Sequence, residues 1–371
     1  MNISFLLGAG FSQAAGLHQR KDINKVFFDE KRLNKIEQTY AMGKDGILYK
    51  GIPESKIIEN EYWHILIQIL RDYMQFDYEM FYDYLKYKIN ANKKNIIKHD
   101  FLNDKKIKQA FFYLPDIFTQ LVSQLIISQK TYFACKTDKY KNFRKWIIDL
   151  QNIGHTIFIN TLNHDLLIES VFGEQNINDG FVYENSPYSV DINNEKIVSV
   201  PFYNKKVFLD KISNRHINFI KLHGSFDYYK DSNEHKLLKC PRGAAINRIE
   251  KRNSQPVIEN YAPLFLIGNT EKEKEYKTFV YKDRHDIYKD ILSESKALFV
   301  IGYGFGDDGI NNDINEHFNG NLLYVIDPTA NEKSCAIKNK CSFLRDRVKF
   351  LNKSIEDLTY NDFMQINQDF L

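Results

Sequence analysis

The chain has 371 residues, of which 43% are hydrophobic, so it can form one large domain or two smaller ones. Its 51 basic and 48 acidic side chains give a formal net charge of +3, which indicates neither direct nucleic-acid binding nor attraction to an anionic membrane. No apolar run reaches the roughly 20 residues of a membrane-spanning helix, and the start lacks the pattern of a signal peptide, so we expect a cytoplasmic protein. The four cysteines are scattered without a C-x-x-C pair, which argues against a disulfide framework and a four-cysteine zinc site.

The first predicted element is a buried strand over residues 3–7, which ends in the turn Gly8-Ala9-Gly10 and continues into a helix that contains Ser12. Glycines let the backbone approach a ligand closely, and the amides at the start of the helix suit a phosphate. The third glycine of the G-x-G-x-x-G fingerprint is missing, because position 13 is Gln13. Taken alone, the turn does not separate a nucleotide site from an ordinary strand–helix connection.

Residues 20–150 are predicted to form a helical insertion after this strand–helix unit. Apolar residues at spacings of three and four predict helices around 58–73, 81–89, 110–125 and 143–150. A lysine-rich stretch at 90–108 is typical of a solvated helix face or loop, with a contact to a partner or nucleic acid as the alternative. Because the insertion is too long for a loop, we expect a helical layer or subdomain within a single domain spanning 1–371.

From residue 155 onward the sequence alternates strands with helices. Strands are predicted at 155–160, 219–222, 297–301, 322–326 and 348–351, with helices at 166–172 and 307–318. Residues 173–215 are predicted to form loops and short strands, and 228–285 to be charged and irregular, interrupted by 261–267. The first four of these strands end in polar or glycine-rich residues, namely Thr161–Asp165, His223-Gly224, Gly302–Gly306 and Asp327. The pattern predicts an α/β fold: a Rossmann-like parallel sheet with helices on both faces and a ligand crevice along one edge.

These motifs, in this order and strand context, resemble those of the sirtuin family, in its bacterial zinc-free branch. The matching residues belong to a glycine turn, a T-x-N-x-D element, a His-Gly element and a later glycine-rich segment: Gly8, Ala9, Gly10, Ser12, Thr161, Asn163, Asp165, His223 and Gly302. The matches span 3–327, and residues 20–150 have no counterpart. The resemblance implies that NAD+ is the substrate and that its nicotinamide–ribose bond is hydrolysed to give ADP-ribose and nicotinamide, depleting NAD in anti-phage defence.

The resemblance also implies roles for particular residues. Asn163 would hold a ribose hydroxyl or the attacking water, Asp165 would support the nicotinamide amide or the developing cation, and His223 would accept a proton. The glycine turn and Ser12 would hold the pyrophosphate. Contacts to the adenosine half are expected from residues that follow two later strands, Tyr303, Phe305, Asp307 and Asp327.

Simpler structural roles stay open for the same residues. Asn163 and Asp165 are residue types that are favoured at helix starts, and a lone histidine such as His223 is often structural. Acidic residues at 307, 308 and 313 favour helix capping and the helix dipole over a metal site. His164 is expected to point away from the site.

Three activities compete. Lysine deacylation is in doubt because the C-x-x-C pairs of zinc-bearing sirtuins are missing, and we expect no zinc. A protein that senses NAD or ADP-ribose without turnover is the other alternative, although binding alone does not require the pair Asn163 and His223. Because unregulated NAD hydrolysis would kill its host, we expect control by homo-oligomerisation through the helical layer, or by a partner such as a DNA-translocating ATPase or a nuclease-like subunit. Enlarging Gly10 is expected to block the dinucleotide and leave the fold largely intact.

Overall fold

The computed structural model describes residues 1–17, 20–31, 33–34, 60–73, 77–88, 114–119, 121–123, 137–192, 196–230, 236–240, 246–251, 263–268, 272–331 and 347–368. The predicted lysine-rich stretch 90–108 lies outside these residues, as do parts of the predicted helices around 58–73, 81–89 and 110–125. Within the described ranges, no helix combines the length and apolar character needed to cross a membrane.

Strands and helices alternate through most of the described chain. The strands are β1 (Asn2–Leu7), β2 (Thr156–Thr161), β3 (Ile177–Asn178), β4 (Phe181–Val182), β5 (Tyr188–Ile192), β6 (Lys196–Ser199), β7 (Phe202–Tyr203), β8 (Ile217–Lys221), β9 (Tyr228–Lys230), β10 (Leu237–Lys239), β11 (Ile246–Lys251), β12 (Ser295–Ile301), β13 (Leu322–Ile326) and β14 (Val348–Leu351). The α-helices are α1 (Ala9–Gln13), α2 (Arg20–Phe27), α3 (Asn60–Asp72), α4 (Tyr78–Asp83), α5 (Lys141–Asn152), α6 (Leu167–Phe172), α7 (Lys205–Asp210), α8 (Lys272–Tyr276), α9 (Phe279–Glu294), α10 (Asp308–His317) and α11 (Tyr360–Gln368).

A seven-stranded sheet in the order β14-β13-β12-β1-β2-β8-β3 forms the centre of the protein. Each pair of neighbouring strands in this sheet is parallel, which requires crossover connections that place helices against the sheet. The central strand β1 lies between β12 and β2, with Leu7 level with Ile301 on one side and Thr161 on the other. All carboxyl ends of the strands therefore meet at one edge of the sheet.

Both faces of the sheet are covered by helices, as the sequence predicts. On one face Phe5 packs edge-on against Phe143 and Trp146 of α5, at ring-centroid distances of 5.9 and 5.3 Å. On the other face Leu6 belongs to a second apolar cluster that includes Ile291 of α9 and Ile310 of α10. Strands that are buried on both faces are the reason that β1 and β12 read as continuous apolar runs.

The described helices of the inserted region share an apolar core with the sheet. The ring of Phe118 lies tilted against Phe27 of α2 and edge-on to Phe81 of α4, at centroid distances of 5.1 and 5.0 Å. These rings belong to the same cluster of buried residues as Phe5 of β1. The described part of 20–150 is thus packed onto the face of the sheet that α5 also covers.

The predicted strands are confirmed to within about two residues at each end. The short strands predicted within 173–215 are β3 to β7, whereas β9, β10 and β11 lie in the stretch 228–285 that was predicted to be irregular. The pairing of these strands into two small antiparallel sheets, β4-β7-β10-β9 and β11-β5-β6, was not predicted. Several of these strands have only two or three residues, too few to show a period of two. The predicted helix at 307–318 is α10, and Asp307 is its N-cap, accepting a hydrogen bond from the Ile310 amide at 3.2 Å.

Candidate functional site

A cavity of about 420 Å³ opens at the carboxyl edge of β1, β2, β8 and β12. Its volume is within the range of small-molecule sites in proteins. Nine residues of the predicted site line it: Gly8, Ala9, Ser12, Asn163, Asp165, His223, Gly302, Tyr303 and Asp307. Residues that are 150 or more positions apart in the chain therefore meet around one space, because parallel strands end at the same edge.

The two glycine turns pack backbone against backbone. The amide of Gly8 donates to the Ile301 carbonyl at 3.0 Å, and that of Gly10 donates to the Gly302 carbonyl at 2.9 Å. These two amides are therefore unavailable to a phosphate, so the prediction that the whole glycine turn binds the pyrophosphate is wrong. Within the turn, the Ala9 amide makes no backbone hydrogen bond of this kind to a described residue.

The expectation for an enlarged Gly10 also needs correction. A Cβ atom on Gly10 would lie 2.9 Å from the Cα of Gly302, and Gly10 does not line the cavity. A valine there would push the two turns apart and disturb the fold. It would not simply fill the ligand space.

Asn163 is held by β1 and α1, the first strand–helix unit. Its side-chain amide donates to the Gly8 carbonyl and to Ser12 Oγ, both at 2.8 Å. Its own backbone amide is fixed by Thr161 Oγ1 at 3.1 Å. With Nδ2 engaged in this way, the oxygen Oδ1 is the part of the side chain that a ligand or water in the cavity could use.

Asp165 has both a local and a long-range partner. Oδ2 accepts a hydrogen bond from Ser12 Oγ at 2.6 Å, while Oδ1 accepts the Leu167 amide at 3.0 Å, at the start of α6. The capping role that was left open for Asp165 is thus present, whereas Asn163 makes no such helix bond. Beneath this pair, the buried Lys221 ammonium bonds the Asp165 carbonyl and lies 2.9 Å from the Glu169 carboxylate.

His223 lies at the back of the cavity and is only 4% exposed. Its Nε2 is 2.9 Å from the Tyr276 hydroxyl and 3.2 Å from Asp307 Oδ2. Burial lowers the pKa of His223 to about 4, aided by the charge of Lys272 and opposed by Asp307. Hydrogen bonds from His223 and Tyr276 hold the pKa of Asp307 below its ordinary value despite burial, so at neutral pH the histidine is uncharged and the carboxylate ionised.

His164 lines the cavity, contrary to the expectation that it points away. Its ring centroid is 6.3 Å from that of His223 and 4.8 Å from that of Phe265, and Phe226 completes the aromatic group. Burial, with the neighbouring charges, lowers the pKa of His164 well below its usual range. Two uncharged imidazoles and two phenyl rings thus form a wall of the cavity that carries no formal charge at neutral pH.

The inserted region supplies the facing wall. Arg20 and Ile23 of α2 and Tyr78 and Glu79 of α4 line the cavity. Arg20 Nη1 lies 3.1 Å from Glu79, and the guanidinium also pairs with Asp77. These residues were not predicted, because none of the motifs that defined the site lies in residues 20–150.

Four predicted site residues do not line the cavity: Gly10, Thr161, Phe305 and Asp327. Thr161 Oγ1 instead accepts a hydrogen bond from the Asn163 backbone amide. Phe305 is buried in the second apolar cluster, with a positive φ of 55°. Asp327 Oδ1 accepts hydrogen bonds from the amide and hydroxyl of Thr329, at 2.9 and 2.7 Å. Two further residues of the site were not predicted: Lys272, which lines the cavity, and Tyr276, whose hydroxyl lies within hydrogen-bond distance of His223.

No group of three or more potential metal ligands occurs among the described residues, and three of the four cysteines, at positions 135, 335 and 341, lie outside them. Two of the acidic residues predicted at 307, 308 and 313 have other partners. Asp307 caps the helix, and Asp313 lies 3.4 Å from both His285 and Lys289. Capping, which the sequence favoured over a metal site, is confirmed for Asp307.

We expect the two cavity histidines to make stability depend on pH. Both histidines have a pKa below the ordinary value of 6.5 in the folded chain, and that of His223 is about 4. Below pH 6.5 the unfolded chain therefore takes up more protons than the folded one. The free energy of unfolding should therefore fall as the pH is lowered through this window, by up to about 1.4 kcal/mol per pH unit for each histidine. Above pH 6.5 neither histidine contributes to the slope.

Urea unfolding at a series of pH values measures this dependence. His164→Gln and His223→Gln each remove one titrating group, so each should lose less stability than the wild type between pH 6.5 and 4. Parallel curves for all three proteins would contradict the conclusion that folding lowers the pKa of both histidines.

The sheet order and the position of the cavity define a Rossmann-like α/β protein with its site at the carboxyl ends of the strands. No family model and no curated protein matches the chain. Among solved structures the chain is similar to a Sir2 homologue that carries a serine-to-alanine substitution and is complexed with ADP-ribose. The identity is 11% and the TM-score 0.41, over 99% of this chain and 92% of that one. A similarity at this level decides neither the fold nor the activity. The fold follows from the parallel sheet of this chain, and the activity has to be inferred from the residues of its cavity.

Proposed function

We propose that this protein is a sirtuin-like NAD+ hydrolase, which cleaves the nicotinamide–ribose bond to release nicotinamide and ADP-ribose. The observation that carries the proposal is the meeting of Asn163, Asp165 and His223 in one cavity with the Gly8 turn and Ser12. A neutral amide, a carboxylate and an uncharged imidazole are the groups that hydrolysis at a cationic ribose requires. Water must be held, positive charge must be stabilised and a proton must be removed.

Each of the three side chains has one atom suited to its step. Asn163 Oδ1 accepts a hydrogen bond from the attacking water, since Nδ2 is engaged by Gly8 and Ser12. The Asp165 carboxylate supplies negative charge near the ribose carbon as the bond to nicotinamide breaks. The water oxygen bonds to that carbon, the electron pair of the broken bond neutralises the nicotinamide ring, and the proton goes to His223.

The substrate that we propose is free NAD+. Arg20, Tyr78 and Glu79 add charged and polar groups to the cavity, which suit a polar dinucleotide. Our proposal includes a role in depleting NAD during anti-phage defence. Such an activity harms the host unless it is regulated, so we infer that a homo-oligomer or a partner subunit, such as an ATPase, DNA translocase or nuclease-like protein, controls it.

Nicotinamide release from NAD+ by the purified protein tests the proposal. The wild type should release nicotinamide without any acyl peptide, and Asn163→Ala should reduce the rate by about 10²-fold or more, because the water is no longer held. Asn312→Ala is a matched control, since Asn312 is exposed on α10 and does not line the cavity, and it should keep the wild-type rate.

The alternatives give different results in the same assay. NAD+ binding with no release, alone and with candidate partners, would identify a sensor instead of a hydrolase. Release that depends on an acylated peptide would identify a deacylase. Either outcome would overturn the proposed reaction.

A further inference from the structure

At the back of the cavity, three side chains from three separate elements form a closed polar triangle. The Tyr276 hydroxyl is 2.5 Å from Asp307 Oδ2 and 2.9 Å from His223 Nε2, and the third side of the triangle is the 3.2 Å from Nε2 to Oδ2. All three residues are at least 90% buried. The sequence pointed to His223 and Asp307 separately, with Asp307 as a ligand contact, and gave no sign that they meet.

The protons in this triangle can be assigned from the chemistry of its atoms. An ionised carboxylate only accepts hydrogen bonds, so Tyr276 donates its proton to Asp307. If Nε2 of the neutral imidazole were unprotonated, its lone pair would face the carboxylate oxygen at 3.2 Å, and the two acceptors would repel. Nε2 therefore carries the hydrogen, and the lone pair of the neutral ring is on Nδ1.

Nδ1 is also the nitrogen that the cavity can reach. Nδ1 makes no hydrogen bond with any described residue, and the atom is accessible to solvent. The other titratable groups near the ring are Lys272, His164 and His285. Of these, Lys272 is the cation, and its charge opposes protonation of His223.

The two partners of His223 are themselves fixed in position. Asp307 is the N-cap of α10, and its amide donates to the Tyr303 hydroxyl at 3.0 Å. The ring of Tyr276 stacks on His285, with centroids 3.8 Å apart and an interplanar angle of 24°. A side chain that is already held in place loses little conformational freedom when it orients a neighbouring histidine through a hydrogen bond.

We propose that Tyr276 and Asp307 are positioning residues, which hold neutral His223 as the Nε2–H tautomer so that Nδ1 accepts the proton from the attacking water. This inference rests on the proposed NAD+ hydrolysis. It goes beyond it by naming the atom that takes the proton and the two side chains that determine this choice. Neither Tyr276 nor Asp307 touches the reacting atoms in this scheme.

Asp307→Asn is the sharpest test. The asparagine keeps the volume and can still cap α10 through Oδ1, but its Nδ2 group would donate towards His223 Nε2. The imidazole would then favour the Nδ1–H tautomer and lose its base. We expect kcat for nicotinamide release to fall by about 10²- to 10⁴-fold, with KM changed less than threefold. Asp308→Asn is the matched control: this neighbouring carboxylate is exposed and does not line the cavity, so kcat should be unchanged.

Tyr276→Phe tests the other partner. It keeps the ring that stacks on His285 and removes only the hydroxyl. Asp307 Oδ2 then loses its hydrogen bond from Tyr276 and keeps its contact with His223 Nε2. The pKa of His223 should rise, and the acid limb of the pH–rate profile should move to higher pH, while kcat on the alkaline plateau falls less than tenfold. A purely structural role would reduce stability and activity together without moving the acid limb.

The tautomer of His223 can also be measured directly by NMR, in an experiment that does not depend on catalytic turnover. Nitrogen chemical shifts of labelled histidines, with the His223 signals identified by their loss in His223→Gln, report which nitrogen is protonated. We expect protonated Nε2 in the wild type and protonated Nδ1 in Asp307→Asn. If the wild type released no nicotinamide, the proposed function would fail while this assignment could still hold. An unchanged tautomer and unchanged kcat in Asp307→Asn would overturn the inference itself.

Discussion

Replacement of His223 by alanine is expected to lower the rate of nicotinamide release by about 10²- to 10⁴-fold, the usual contribution of a general base. The cavity keeps its glycine turn, Asn163 and Asp165 in this variant, so NAD+ affinity should change less than threefold. Equilibrium binding of NAD+, measured by calorimetry, distinguishes a loss of turnover from a loss of substrate binding.

Because His223 is buried against Tyr276 and Asp307, alanine also leaves two polar groups with one fewer partner. His223→Gln keeps most of the volume and an amide that can donate to Asp307, so it should fold as well as the wild type and still lack turnover. His216→Ala, outside the cavity, should retain the full rate. Full activity in His223→Gln would show that the base is elsewhere.

Gly302→Ala should have the largest effect on stability. Gly302 has a φ of +64°, which is strained for any residue with a side chain. The added Cβ would lie 2.2 Å from the Phe11 amide nitrogen and 2.5 Å from the Gly10 carbonyl carbon, both backbone atoms that cannot move alone. We expect the free energy of unfolding in urea to fall by about 3 kcal/mol or more.

A second glycine in the same loop provides the control for Gly302→Ala. A Cβ atom on Gly304 would meet no atom within 4 Å. Gly304→Ala should therefore change the free energy of unfolding by less than about 0.5 kcal/mol. If both alanine variants were equally stable, the close packing of the Gly8-Ala9-Gly10 turn on Gly302 would not be a feature of the folded protein.

The sheet and half of the site could be predicted because both depend on strong local signals. The strands that carry Phe5, Phe158 and Phe299 are buried on both faces and read as continuous apolar runs. Once those strands were placed, the rule that carboxyl ends share an edge was enough to bring Asn163 and His223 to one cavity. No knowledge of side-chain orientation was needed for that step.

The remaining features of the site depend on tertiary packing. Tyr276 lies in a five-residue helix within a charged stretch, and only the folded chain brings it to His223. His164 follows a strand end, where no periodicity fixes the direction of a side chain. The amides of Gly8 and Gly10 looked available for a phosphate because the carbonyls of Ile301 and Gly302 that occupy them lie almost 300 residues away in the sequence.

The core that the described helices of 20–150 share with the central strand links the stability of the protein to the shape of its site. Phe27, Phe81 and Phe118 pack into the cluster that contains Phe5, and Arg20 and Tyr78 line the cavity. Arg20 lies on the same helix as Phe27, and Tyr78 on the same helix as Phe81. A substitution that loosens these rings would therefore shift the cavity wall as well as lower the free energy of unfolding.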